Sequence, residues 1–370
     1  MKVGFYIDYF NAENPGGRTS YVINIIRQLQ KYEELDLYLI SLNKFDHPIF
    51  HENKLIILPK IPILNLTKLK NQKLDIIHFN RIPVLPTEVT IYFLIKNVKK
   101  VASLHGEAIY VVPELYDYTS VYFKNYLRFI EPRLSKKMDA ILPVSKSLGD
   151  RLLQYYKAPK NKYHAIYNGL DHDLFKHVEK SNIILKEKYG IEKDFILHVS
   201  NYSIQKNPIT ILKTFENLVN NEGMDLDLII IGRKWSEKID RFLIDIKPKL
   251  KNRIKIMGSI DHKELPIFYS AAKLLFSPSY HETFGFPNIE AMACGTPVVT
   301  SNVYSIPEIT GGAAVLHEPD DIKGFVTSIK SILQNNEICE NLVRKGLENA
   351  KRFNWEKSAE ELFKIYNQLV

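Results

Sequence analysis

The chain has 370 residues, more than one hydrophobic core usually organises, so two domains are expected, each able to bury a substantial apolar interior. Its 45% hydrophobic, 11% aromatic and 25% charged residues are those of an ordinary globular protein and exclude the disordered and fibrous classes. No apolar run reaches the roughly 18 residues a membrane span needs, and Asp8 interrupts the first apolar stretch, so neither a transmembrane helix nor a secretory signal is expected and the cytoplasm is the expected compartment.

Short apolar runs alternate with longer amphipathic stretches along the whole chain, the pattern of βα units and a parallel sheet. The first half predicts strands at Val3–Ile7, Leu37–Ser41, Leu55–Leu58, Asp75–Phe79, Val101–Leu104, Ala140–Val144 and His164–Tyr167. The first βα turn, Asp8 to Ser20, contains Gly16-Gly17 immediately before a helix pattern. It is not the GxGxxG of a nicotinamide-binding dehydrogenase, but paired glycines at a helix start let backbone amides approach a phosphate.

The net charge of +8 is uneven. Residues 1–175 carry 24 basic against 17 acidic side chains, and Lys124 to Lys162 alone holds ten basic against three acidic, the whole excess of that half. Tyr122, Phe123, Tyr126, Leu127, Phe129 and Ile130 interleave the start of this segment, which predicts an amphipathic basic helix. Such a helix either packs its apolar side on its own domain with a solvated basic face, or meets an anionic membrane. Nucleic acid is not an expected partner, because no binding motif accompanies the charge.

Asp173 to Asp194 has little apolar periodicity beyond Ile183–Leu185 and is the expected hinge. The pattern then restarts, with strands at Phe195–Val199, Leu226–Ile231, Ile254–Met257, Leu274–Ser277 and Val298–Thr300. Trp355, Ala359, Leu362, Phe363, Tyr366 and Leu369 recur at helical spacing in a closing helix. Two cysteines, Cys294 and Cys339, build no disulfide framework, and no Cys or His cluster has metal-ligand spacing, so no metal is expected. Two Asp-x-Asp patterns, Asp171-His-Asp173 and Asp225-Leu-Asp227, read as solvated loop carboxylates.

The most informative segment is Ser279-Tyr-His-Glu-Thr-Phe-Gly-Phe-Pro-Asn-Ile-Glu-Ala-Met-Ala-Cys-Gly-Thr-Pro-Val-Val-Thr300. It follows an apolar strand and enters a helix with Pro287 in the first turn, where proline is tolerated. Free backbone amides around Pro287 to Glu290 would favour an anion such as a diphosphate, and Glu290 could accept hydrogen bonds from two vicinal hydroxyls such as those of a ribose. Spacing alone leaves a plainer reading open, in which one glutamate is solvated and the other interacts with the helix dipole.

With the other pieces, the segment resembles the retaining, nucleotide-sugar-dependent glycosyltransferases of family 4. The stretch Glu282 to Glu290 is similar to that family's E-x7-E motif, with Phe284-Gly285 and the Glu-Ala-Met-Ala-Cys-Gly-Thr-Pro-Val-Val run in register. Gly16-Gly17, His105, Asn168-Gly169-Leu-Asp171, Lys206-Asn207, Pro307-Glu308 and the Trp355 helix follow in the family's order. The resemblance implies an α/β fold of two Rossmann-like domains facing across a cleft (GT-B). An acceptor-side domain would span 1–175 and a nucleotide-sugar domain 176–353, with a helix over 354–370 crossing back to the first. It implies no cofactor, a UDP-, GDP- or ADP-sugar as donor, and a glycan or lipid-linked acceptor, with the enzyme cytoplasmic or peripheral at the inner membrane face.

By the same resemblance, Lys206, the Gly16 and Gly17 amides and those near Ile289 would face the diphosphate, and Glu290 the ribose. Glu282 and the Phe284-Gly285 amides would meet the donor sugar, with His105 closing the far side and Glu107 as the acidic residue that follows it. The expected mechanism is metal-independent, the leaving phosphate assisting the acceptor on one face of the sugar, with Glu282 not assigned as a nucleophile. One departure stands out: where the family commonly places an arginine beside the diphosphate this chain has Asn201 and Gln205, with Asn201 kept among the donor-binding candidates and Arg18 and Arg233 as the cations that could compensate. That loss keeps a non-catalytic nucleotide-sugar-binding subunit as an alternative, beside a sugar-nucleotide epimerase or phosphorylase of the same architecture.

Overall fold

The computed structural model describes residues 1–11, 16–58, 69–83, 86–106, 121–235, 250 and 252–370, and Glu107 lies outside them. The chain divides into two compact units, Met1–Gly169 with Asn354–Val370, and Leu170–Phe353.

The first unit is built on a six-stranded parallel sheet of β1 (Lys2–Ile7), β2 (Asp36–Ser41), β3 (Lys54–Ile57), β4 (Ile76–Phe79), β5 (Lys99–Leu104) and β6 (Ala140–Pro143). Their spatial order is β3-β2-β1-β4-β5-β6. The inner strands β1, β4 and β5 bury almost every residue on both faces, which is why they read as continuous apolar runs and not as alternation. Helix Gly17–Leu29 turns Tyr21, Val22, Ile25, Ile26 and Leu29 inward at three- and four-residue spacing. The closing helix Trp355–Leu369 packs against it: Tyr32 stacks on Phe363 at 4.3 Å, and Tyr21 meets Trp355 edge-on at 6.0 Å. Asn354 caps this helix, its side-chain oxygen accepting from the Glu356 amide at 2.7 Å.

The second unit repeats the plan with β7 (Phe195–Val199), β8 (Asp227–Ile231), β9 (Ile254–Gly258), β10 (Leu274–Ser277), β11 (Val298–Ser301) and β12 (Val315–His317). All its pairs are parallel, in the order β12-β11-β10-β7-β8-β9. Phe215, Trp235, Phe276 and Phe325 fill its core.

Three sequence expectations change. The first boundary lies at Gly169/Leu170 and not after residue 175, because Leu170 and Phe175 are buried and the Leu170 amide donates to Phe353 O at 3.2 Å, within the second unit. The expected hinge is part of that unit: Ser181–Tyr189 is a helix that buries Ser181 and Leu185. His164–Tyr167 is not a strand; Tyr163 forms an isolated bridge to Ile141, and His164 N and Ile166 N donate to Ile141 O and Pro143 O. The strand β12 escaped the sequence reading because three half-buried residues at a sheet edge carry no pattern.

Candidate active site

In each sheet the chain starts at an inner strand, builds outward to one side, then returns to build the other. That leaves a switch point between β7 and β10 in the second unit and between β1 and β4 in the first, and open α/β sheets place ligands outside the carboxyl ends of strands at such points.

At the β7/β10 point two loops are stitched together. Tyr280 N donates to Gln205 O at 2.8 Å, and Gln205 Nε2 donates to His281 O at 2.6 Å. Gln205, one of the two residues standing where an arginine was expected, is thus a loop fastener. The stitching brings Lys206 Nζ to 2.5 Å from Glu282 Oε1, an oxygen that also accepts from Ser279 Oγ at 2.9 Å, while Ser305 Oγ donates to Glu282 O at 2.8 Å. Asn207, in the left-handed region at φ 54°, caps helix Pro208–Asn220 through Thr210 N and holds Pro319 O through Nδ2, so Lys206 stands on a fixed base.

Gly285 starts helix Phe286–Ala293 at φ 89°, a conformation that suits glycine, and a Cβ there would come within 2.8 Å of Ile306 Cδ1. Pro287 sits in the first turn as expected. The side chains of Phe284 and Ile289 are buried, Phe284 between the rings of Phe286 and Phe353, so only their backbones can meet a ligand. Glu290 is also buried; Tyr269 OH donates to its Oε2 at 2.7 Å, and Oε1 has no partner among the described residues. Burial pushes the Glu290 carboxyl up to about 7, the Tyr269 hydrogen bond opposing the shift. Nothing in the sequence marked Tyr269, which reads as one more apolar position of helix Leu265–Ala271.

Asn201, the other residue at an expected arginine position, fastens a neighbouring turn. Its side-chain oxygen accepts from Arg233 N at 2.9 Å, so it fixes a neighbouring backbone.

At the β1/β4 point of the first unit, His105 follows β5 and its Nε2 lies 2.8 Å from Asn80 Oδ1 at the end of β4. The ring packs edge-on to Tyr21 at 4.4 Å, and desolvation, then Arg18 and His78, hold its pKa well below the usual 6.5, so it is neutral at neutral pH. Tyr21 OH and His78 Nε2 both bond Ser103 Oγ, at 2.7 and 2.8 Å, and His78 Nδ1 bonds Tyr366 OH of the closing helix. Gly16 precedes helix Gly17–Leu29, and among the described residues it has no side-chain cap and nothing within 4 Å of where a Cβ would stand. Arg18 is not a spare cation: it and Arg81 both pair with Asp8, at 2.8 and 2.9 Å, and Arg81 also pairs with Glu88. This four-charge cluster was not foreseen, because its two local pairs, Asp8 with Arg18 and Arg81 with Glu88, come from separate βα units. The Asp-x-Asp carboxylates are engaged locally: Asp171 accepts from Asp173 N and Leu174 N, Asp225 pairs with Lys193 and Arg253, and Asp227 with Lys255.

The family described as Glycosyltransferase Family 4 matches residues 15–174, and that described as Glycosyl transferases group 1 matches residues 181–349. The chain belongs to the family 4 glycosyltransferases. Among curated relatives it is 27% identical to O-antigen chain mannosyltransferase B of Escherichia coli, over 73% of this chain and 71% of that protein. It is 26% identical to N-acetyl-alpha-D-glucosaminyl L-malate synthase of Bacillus anthracis, over 81% and 76%. The fold is that of Anabaena HepE, solved in complex with UDP, with a TM-score of 0.80 at 18% identity over the whole of both chains. This is the GT-B architecture that the E-x7-E resemblance implied.

Proposed function

We propose that this glycosyltransferase is a retaining, metal-independent hexosyltransferase that moves a sugar from a nucleoside diphosphate to a saccharide or lipid-linked acceptor. The observation that carries the reading is the Lys206–Glu282 pair at the β7/β10 switch point, just ahead of helix Phe286–Ala293. As the glycosidic bond breaks, negative charge collects on the β-phosphate, and a fixed ammonium with helix-terminal amides stabilises it without reorganising. On this reading the protein's own groups, and not a metal, carry that charge. Glu282 is held by an ammonium and a hydroxyl, which makes it a poor nucleophile and a good acceptor for sugar hydroxyls. His105 is neutral and donates through Nε2 to Asn80 Oδ1, which makes Nδ1 the acceptor toward a hydroxyl, without bringing charge to the reacting sugar. Glu290 Oε1 takes a ribose hydroxyl.

The mannosyltransferase relative favours mannose as the first sugar to test, and the UDP held by HepE keeps uridine donors beside guanosine and adenosine ones. A thermal-shift panel of nucleoside diphosphates finds the base, since a bound donor raises stability by mass action. NMR of the product then reads the anomeric configuration: retention is expected, and inversion overturns the mechanism. Activity should survive saturating EDTA; loss restored by manganese or magnesium overturns metal independence.

The acceptor is proposed to lie at an anionic membrane surface. Helix Val121–Lys137 buries Leu127 and Leu134, while Tyr122, Tyr126 and Phe129 stand exposed among Arg128, Arg133, Lys136 and Lys137. The Arg133 guanidinium lies 3.5 Å from the centre of the Phe129 ring, and Lys137 lies over the exposed Phe93. Aromatic rings beside cations suit a headgroup layer. Among the described residues no helix is long and apolar enough to cross a membrane, so attachment would be peripheral.

A further inference from the structure

The donor pocket as described is short of positive charge. Lys206 is matched by Glu282 at 2.5 Å, so that pair brings no net charge against a departing diphosphate, and Asn201 and Gln205 are engaged with protein atoms. The first unit's Arg18 is matched by Asp8. A second cation stands on the strand next to β7. β7 and β8 end in register at Val199 and Ile231, and the turn that follows β8, Gly232 to Trp235, is fastened to the loop that follows β7 by hydrogen bonds along its length. Arg233 N donates to Asn201 Oδ1 at 2.9 Å, Tyr202 N donates to Arg233 O at 2.9 Å, and Trp235 Nε1 donates to Ser200 O at 2.7 Å. Trp235 is fully buried, edge-on to His198 and Tyr202. Gly232, at φ 147°, lets the turn approach so closely that a Cβ would fall 1.8 Å from Ser200 O.

Rigid backbone is thus built under the exposed Arg233, with the exposed Lys234 beside it in the left-handed region at φ 66°, where the chain turns onto a different course. Arg233 is exposed at the carboxyl end of the sheet and carries no ion pair among the described residues, unlike Arg18, Arg81 and Arg253. We propose that Arg233 is the guanidinium that binds the donor's diphosphate, anchored from the neighbouring strand by Asn201, and that it supplies the net positive charge the Lys206–Glu282 pair lacks. A guanidinium offers two parallel donors to phosphate oxygens where an ammonium offers a point charge, and pre-fixing its backbone lowers the ordering cost of that contact.

This assignment rests on the glycosyltransferase reading of the β7/β10 site and is tested so that the two can fail separately. Titration calorimetry is run on the full chain with the nucleoside diphosphate that stabilises the wild type most, and with its parent nucleoside. Arg233→Ala should weaken the diphosphate by tenfold or more and leave the nucleoside unchanged, with Arg233→Lys intermediate and Lys345→Ala, on helix Asn336–Ala350, without effect. Diphosphate affinity intact in Arg233→Ala but lost in Lys206→Ala overturns the role of Arg233 and keeps the site. An equal loss for nucleoside and diphosphate in Arg233→Ala also overturns it. Affinity intact in both variants, or no diphosphate binding by the wild type, overturns the site reading and this inference with it.

Discussion

The two sheets share one strand order, yet their switch points carry different groups. At β7/β10 the groups are charged and set by two loops fastened to each other: Lys206 against Glu282, with a helix start beyond. At β1/β4 the charges of Asp8, Arg18, Arg81 and Glu88 neutralise one another, and what surrounds His105 is a neutral hydrogen-bonded series from Tyr21 through Ser103 and His78 to Tyr366. On the proposed function, the difference fits the two halves of a glycosyl transfer. A nucleoside diphosphate leaves with charge and needs cations, whereas a sugar hydroxyl is neutral and is best met by neutral donors and acceptors, since buried unpaired charge is costly.

The sharpest way to break this contrast is to remove a charge from the second unit. Lys206→Ala should lower turnover by about 100-fold or more, because the lost ammonium acts on charge that develops in the transition state and Glu282 is left without its partner. Steady-state kinetics reads it, and an unchanged kcat puts the phosphates elsewhere. The matching change in the first unit should be milder. A neutral hydrogen bond contributes about 1 kcal/mol, so His105→Ala should cost roughly fivefold in kcat/KM. With its pKa held well below 6.5, His105 should also add no titration to the rate between pH 6 and 8. A limb near pH 6.5 that disappears in His105→Ala would make this histidine a proton carrier and erase the contrast.

Glu290 gives a smaller, pH-dependent effect. Its carboxyl is raised from 4.5 to about 7, so the folded chain keeps a proton that the unfolded chain releases. The sign follows: its stability contribution is fully present below about pH 4.5 and is lost as pH rises through 7, a difference on the order of 3 kcal/mol at roughly 1.4 kcal/mol per unit. Glu290→Gln, which mimics the protonated acid and still accepts from Tyr269, should therefore gain melting temperature relative to wild type at pH 8 but not at pH 4.5. An ionised carboxylate is the better acceptor for a ribose hydroxyl, so the donor KM should fall a few-fold as pH rises from 6 to 8 in the wild type and stay flat in the variant. Parallel melting curves at both pH values would show that Glu290 ionises normally in its pocket.

Legibility in the sequence followed locality. The inner strands were readable because burial on both faces makes each an unbroken apolar run, and the Glu282-to-Glu290 segment because one loop and one helix turn carry it entire. Side-chain direction was not readable. Asn201 gave no sign that it fastens Arg233, a residue 32 positions away, and Tyr269 none that its hydroxyl holds Glu290, because both contacts exist only once separate strands and helices are brought together. The boundary at Gly169 was missed for the same reason: the polar stretch after it looks like a linker, but Leu170 and Phe175 are buried within the second unit.

The last contrast is between the chemistry and its location, and here the expected effect on the reaction itself is nil. The basic excess of the first half falls in Lys124 to Lys162, but β6 lies buried in the middle of that segment and Lys162 Nζ is held by Lys136 O and Met138 O, so the surface available to a membrane is mainly helix Val121–Lys137. Arg128, Arg133, Lys136 and Lys137 are exposed on it, and at about 1 kcal/mol for each basic residue near an anionic surface, four together give salt-sensitive attachment. Replacing all four by glutamate should abolish cosedimentation with vesicles containing anionic lipid while leaving kcat on a short soluble acceptor unchanged. Wild-type binding should require the anionic lipid and fall as salt rises, because the exposed rings alone insert weakly. Equal recovery on neutral and anionic vesicles would instead make this an ordinary solvated face, and a soluble saccharide the better acceptor to pursue.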